Sequence, residues 1–181
     1  MNRNASHILL ALSFLLILSS TEKVHANEID DASSDEKFFA DIGYKTPDEA
    51  IKEFEQHFKQ NLKLPLKIPP IAFTHYLGRF SDLDGDLNDS LDLTFTNVKI
   101  PENHYSLDIR HVNNKIILRD RGNQKTYTLK DGQKAVYIIE RGSSIFVFEK
   151  GNWQYMLSID KRITDIVTPE MLIDIANSIE Y

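Results

Sequence analysis

The chain has 181 residues, 41% hydrophobic and 27% charged, with 27 acidic against 21 basic side chains and no cysteine. That length supports one sizeable core and is short for two. The missing cysteines exclude disulfide scaffolds, thiol nucleophiles and cysteine-ligated zinc, and the formal charge of -6 argues against a nucleic-acid partner, whose phosphates call for clustered cations.

Arg3 precedes an apolar run over residues 8–18 (ILLALSFLLIL), which is followed by Ser19, Ser20 and a Val24-His25-Ala26 triplet. A spanning helix needs about 20 apolar residues, so this pattern predicts a secretory signal peptide over 1–26. Its removal takes away Arg3, Glu22 and Lys23, leaving an acidic chain of net charge -7 that is secreted to the extracellular or cell-wall space of a bacterium without a stable membrane anchor. Residues 27–43 are acidic and sparsely apolar, a flexible leader, and a single domain over 44–181 follows.

Thr46-Pro47-Asp48-Glu49 opens a helix: Thr46 and Glu49 suit a capping box and Pro47 the first helical position. The stripe Ala50, Ile51, Phe54 and Phe58 predicts a helix from Pro47 to Asn61. Pro65, Pro69 and Pro70 make residues 62–71 an edge or polyproline-like crossover. Short apolar runs punctuated by Asp84-Gly85, Asn113-Asn114, Gly122-Asn123, Asp131-Gly132, Arg141-Gly142 and Gly151-Asn152 then predict strands. These are 74–80, 90–96, 105–112, 115–119, 125–129, 134–140, 144–149 and 153–159. Thr168-Pro169-Glu170 starts a final helix carrying Leu172, Ile175, Ala176 and Ile179. The fold class is α+β: an antiparallel meander sheet of about seven or eight strands, bracketed by an N-terminal and a C-terminal helix packed on one face.

Residues 90–96 and 125–129 alternate apolar and polar, whereas 135–139 (AVYII), 145–148 (IFVF) and 153–159 (WQYMLSI) are apolar on both faces. Two helices cover one face only. Sheet closure, the leader, a protein partner or a small apolar ligand has to cover the other, and Tyr137, Phe146, Phe148, Trp153 and Tyr155 are the candidate ligand or partner surface.

Asp82, Asp84, Asp86 and Asn88 place side-chain oxygens at alternate positions, a pattern suited to calcium. Leu87 and Leu93 stand where an EF-hand loop has glycine and glutamate, so an acidic solvated hairpin loop is the competing reading. His57, His75, His104 and His111 show no helical metal spacing, and Ser143-Ser144 lacks a GxSxG frame. Asp92, Asp108, Asp120 and Glu140 are carboxylates whose separations sequence does not give.

Leu129, Gly132, Ala135 and Tyr137 fit an L-x-x-G-x-x-A-x-Y step, and Tyr155-Met156-Leu157, Glu170-Met171-Leu172 and Ile175-Ala176-Asn177-Ser178-Ile179 fit a Y-x-L…E-x-L-x-x-I-A-x-S-I ending. With the proline-bearing stretch from Leu64 to Arg79 and the strand from Leu91 to Phe95, this layout over about residues 62–181 resembles the bacterial family known as domain of unknown function 4367. The resemblance implies an extracytoplasmic, non-catalytic domain, sometimes attached to envelope-sensing membrane proteins, and supplies no catalytic residues. The residues themselves point to a secreted non-catalytic binding, sensing or interaction module, with a carboxylate- or metal-dependent hydrolase and a structural envelope component as the alternatives. No cofactor is called for beyond the calcium candidate.

Overall fold

The computed structural model describes residues 35–82, 89–119 and 121–180. The predicted signal peptide and the first residues of the leader lie outside them. The chain divides into two compact units, Met1–Ile42 and Gly43–Tyr181. In the first, residues 35–41 form helix α1, on which the Phe38 and Phe39 rings meet edge-on at 5.7 Å. No described helix is long and apolar enough to cross a membrane.

The second unit opens with α2 (Pro47–Phe58). Its start is the capping box the sequence predicts: the Glu49 amide donates to Thr46 Oγ1 at 3.4 Å and the Thr46 amide donates to Glu49 Oε2 at 3.1 Å. The helix stops three residues short of the predicted Asn61 because Lys59 turns left-handed at φ 53° and donates its N–H back to Glu55. Ala50 and Phe54 are fully buried.

Seven strands follow: β1 (His75–Ser81), β2 (Ser90–Thr96), β3 (His104–His111), β4 (Gln124–Thr128), β5 (Lys134–Ile139), β6 (Ser143–Lys150) and β7 (Trp153–Asp160). Every neighbouring pair is antiparallel, in the order β1-β2-β3-β7-β6-β5-β4. Two meanders, β1–β3 and β4–β7, therefore meet at the β3–β7 seam. A last helix, α3 (Pro169–Ala176), closes the domain. The result is the α+β sheet with bracketing helices read from the sequence. The sheet is open, with β1 and β4 as its edges, so curvature does not close it.

The register divides the side chains between two faces. The front carries Phe80, Leu91, Leu93, Tyr105, Leu107, Ile109, Trp153, Tyr155, Leu157, Ile159, Phe146, Phe148, Ala135 and Tyr137. Helix α2 lies there through Phe54, whose ring meets Phe80 at 5.6 Å and Trp153 at 4.9 Å. At the α3 end, Lys150 donates to the Ile179 carbonyl at 3.0 Å. Between the helices runs the proline-bearing segment, which forms no strand: the Tyr155 hydroxyl donates to Lys63 O at 2.8 Å and the Lys67 amide donates to Ser178 Oγ at 3.2 Å.

The back face is polar over β2–β3, where Thr94 bonds Asp92 and Arg110 bonds Asp108. It is apolar over β5–β6–β7, where Val136, Ile138, Ile145, Val147 and Met156 lie side by side in register. The cover over this apolar half is the chain's own β3–β4 connection. Residues 115–119, expected as a strand, pair with no strand. They cross the back face instead, because the buried Gln154 carboxamide takes both backbone groups of Ile116, accepting from its N–H at 2.8 Å and donating to its carbonyl at 3.0 Å.

Candidate binding cleft and metal-ligating cluster

The five aromatic side chains picked out as a ligand or partner surface, Tyr137, Phe146, Phe148, Trp153 and Tyr155, all point to the front face and are at most 6% exposed. They form the floor beneath the helices; the Phe148 and Tyr155 rings, for example, stack at 5.1 Å. Their neighbours of opposite parity make the surface on the other side of the same strands.

That surface is a cleft of ≈ 480 Å³ between the crossover and the sheet. Val136 and Val147 form its floor, Ile116, Ile117 and Leu118 its overhang, and Gln154 its closed end. At the rim Lys115 holds Glu149 at 2.7 Å, which neutralises the one carboxylate in the lining. Ile117 is 71% exposed, an unusual position for an isoleucine. On the far side of the crossover a second cleft of ≈ 310 Å³ runs past Ile138 to Arg119, Arg121 and Glu140. The sequence carries one sign of this arrangement: Gln154 is a polar residue near the start of a strand that carries apolar side chains on both faces.

A second constellation lies where α2 meets the β1–β2 connection. Helix α2 runs beside β1. At one end Gly78 exchanges two 2.8 Å backbone hydrogen bonds with Lys45 and faces Pro47 and Ala50. At the other end the His57 ring lies 5.2 Å from Phe80. From Ala50 to His57 the helix rises about 10 Å, and from Gly78 to Asp82 the strand advances about 13 Å. His57 therefore arrives level with the end of β1. Its Nε2 stands 2.9 Å from Oδ2 of the fully buried Asp89 and its Nδ1 3.8 Å from Oδ2 of Asp82. One ligand atom from each of the three residues falls within 4.8 Å of the others. Of the predicted calcium loop, Asp82 joins this cluster, while Asp84, Asp86 and Asn88 lie outside the described residues. His57 and Asp89 are the members that sequence spacing does not reveal, since the histidine comes from another element.

Among the other carboxylates, Asp92 and Asp108 are directly paired across β2 and β3. Burial pushes the Asp108 carboxyl above the ordinary aspartate value, with Arg110 pulling the other way and Asp92 adding to the rise. Both acids lie outside the two clefts. Burial likewise raises the Tyr105 phenol, whose hydroxyl has no hydrogen-bond partner among the described residues. Of the other histidines, His111 stacks on Phe58 and accepts from the Asn113 amide at 3.3 Å.

Comparison with known families, curated proteins and solved structures gives no match to this chain.

Proposed function

We propose that the chain is a secreted, non-catalytic binding module of the bacterial exterior, and that a small apolar molecule is its ligand. The observation that carries this reading is the back-face cleft of ≈ 480 Å³ with its Val136/Val147 floor and Ile116/Ile117 overhang. Sites for small ligands span about 300–1,000 Å³, with apolar walls and a few polar groups that fix orientation. Gln154 and the Lys115–Glu149 pair supply those polar groups here. Binding is favoured over hydrolysis because the one acid lining the larger cleft, Glu149, is paired with Lys115. The resemblance to domain of unknown function 4367 agrees with a non-catalytic role.

The test is titration of the full chain with an environment-sensitive naphthalene-sulfonate fluorophore. Saturable binding at one equivalent is expected, weakened at least tenfold by V136W, which fills the cleft from its half-buried floor. Absence of saturable binding, or equal binding by a folded V136W, would overturn the proposal.

A further inference from the structure

We propose that His57, Asp82 and Asp89 form a site for a divalent first-row transition ion, zinc or manganese in class, which joins the end of α2 to Asp82 just after β1 and Asp89 just before β2. Two features of the cluster point there. The first is distance: in an octahedral shell with bonds of about 2.1 Å, adjacent donors stand about 3.0 Å apart. His57 Nε2 and Asp89 Oδ2 are 2.9 Å apart, an ion-pair distance that two adjacent donors of such a shell would also keep. Asp82 is 65% exposed at its side chain, and one ligand atom from each of the three residues lies within 4.8 Å of the others. Asp89, in contrast, is fixed: its side chain is fully buried.

The second feature is donor chemistry. Calcium takes six to eight oxygens and rarely an imidazole, whereas one imidazole with two carboxylates suits zinc, manganese or ferrous iron. The alternating acids of the loop suggest calcium. The histidine delivered by α2 shifts the preference to a transition ion. The His57 ring is also held in place, packed edge-on against Phe58 at 4.7 Å and tilted over Phe80 at 5.2 Å, so little side-chain freedom is lost on coordination. The site shares no residue with either cleft, and its failure or success leaves the apolar-ligand reading as it stands.

The experiment is calorimetric titration of the chelator-treated full chain with zinc, manganese and calcium chlorides separately, together with thermal melts at 1 mM ion. One equivalent of zinc or manganese should bind and raise the melting temperature, since an ion that binds only the folded state stabilises it. Two variants keep the result interpretable. D82N changes an exposed side chain, so it should fold as the parent does and lose at least tenfold in affinity. H57Q should lose at least as much and should remove the His57 nitrogen coupling expected in the electron paramagnetic resonance spectrum of the copper-loaded chain. No binding by zinc or manganese, undiminished binding by folded D82N, or retained nitrogen coupling in H57Q would each overturn the assignment. Calcium binding that is insensitive to H57Q would do so as well, by reducing the site to carboxylates.

Discussion

Gln154 is the residue on which the back-face architecture turns. Its carboxamide makes two hydrogen bonds to the Ile116 backbone, at 2.8 and 3.0 Å, while the side chain is 3% exposed. Leucine at this position keeps the volume and removes both bonds. A net hydrogen bond is worth about 1 kcal/mol, so Q154L should weaken closure of the crossover by about 2 kcal/mol, about a 30-fold rise in its opening equilibrium. Amide hydrogen exchange followed by NMR reads this at one atom: the Ile116 N–H should exchange about 30 times faster, while amides in the β3–β7 seam change little. Global melting should fall by about 4–8 °C if the crossover opens only with the domain. Fluorophore binding should fall in parallel, because the overhang of the cleft is the segment released. Unchanged Ile116 exchange in a folded Q154L would refute the view that this side chain acts as a surrogate strand for the crossover.

Other substitutions test the packing and electrostatics independently. A Cβ at Gly78 would meet Ala50 Cβ and Pro47 Cα at 2.8 Å and Thr46 O at 2.9 Å, so G78A should lift α2 from β1 and lower stability by about 1–3 kcal/mol in urea unfolding, with A50G restoring part of it. Y105F removes a buried hydroxyl that has no partner among the described residues and should stabilise the fold by about 1 kcal/mol, read as a higher melting temperature. Asp108 has its folded-state carboxyl raised by burial, so its favourable contribution is full below the ordinary aspartate value and lost as pH rises through the raised one. The melting temperature of D108N relative to the parent should therefore move in the variant's favour as pH rises above the ordinary aspartate value, and a flat difference would contradict it.

The fold was largely legible because its signals are local. The capping box at Thr46 and Glu49, the Pro47 start, and turns such as Gly151 at φ 60° each act within a few residues. Residues 115–119 misled for the same reason: KIILR has strand composition, and only the distant Gln154 turns it into a cover. The doubly apolar strands correctly required a second cover, but periodicity does not say which segment supplies it, and it left open whether the aromatics line a surface or the core; they lie buried, facing the helices. The cluster of His57, Asp82 and Asp89 was legible only in part. Asp82 follows from the loop pattern, whereas His57 enters through a helix-to-strand alignment that depends on Gly78 having no side chain.

The clefts themselves follow from the strand order. Strand β3 lies four strand spacings from β4, about 19 Å, and the connection from Val112 to Asn123 reaches well beyond that when extended. The chain can therefore cross the back face directly. Strands β6 and β7, at eight residues each, are about 26 Å long, however, while one extended chain occupies about 5 Å of that length. A single crossover therefore shields the centre of the apolar half and leaves a groove on either side of itself, as the clefts of ≈ 480 and ≈ 310 Å³ flanking Ile117 and Leu118 show. In this topology a helical connection would have sealed the face. An extended one bound through Gln154 leaves the Val136 and Val147 floor open to the groove beside it.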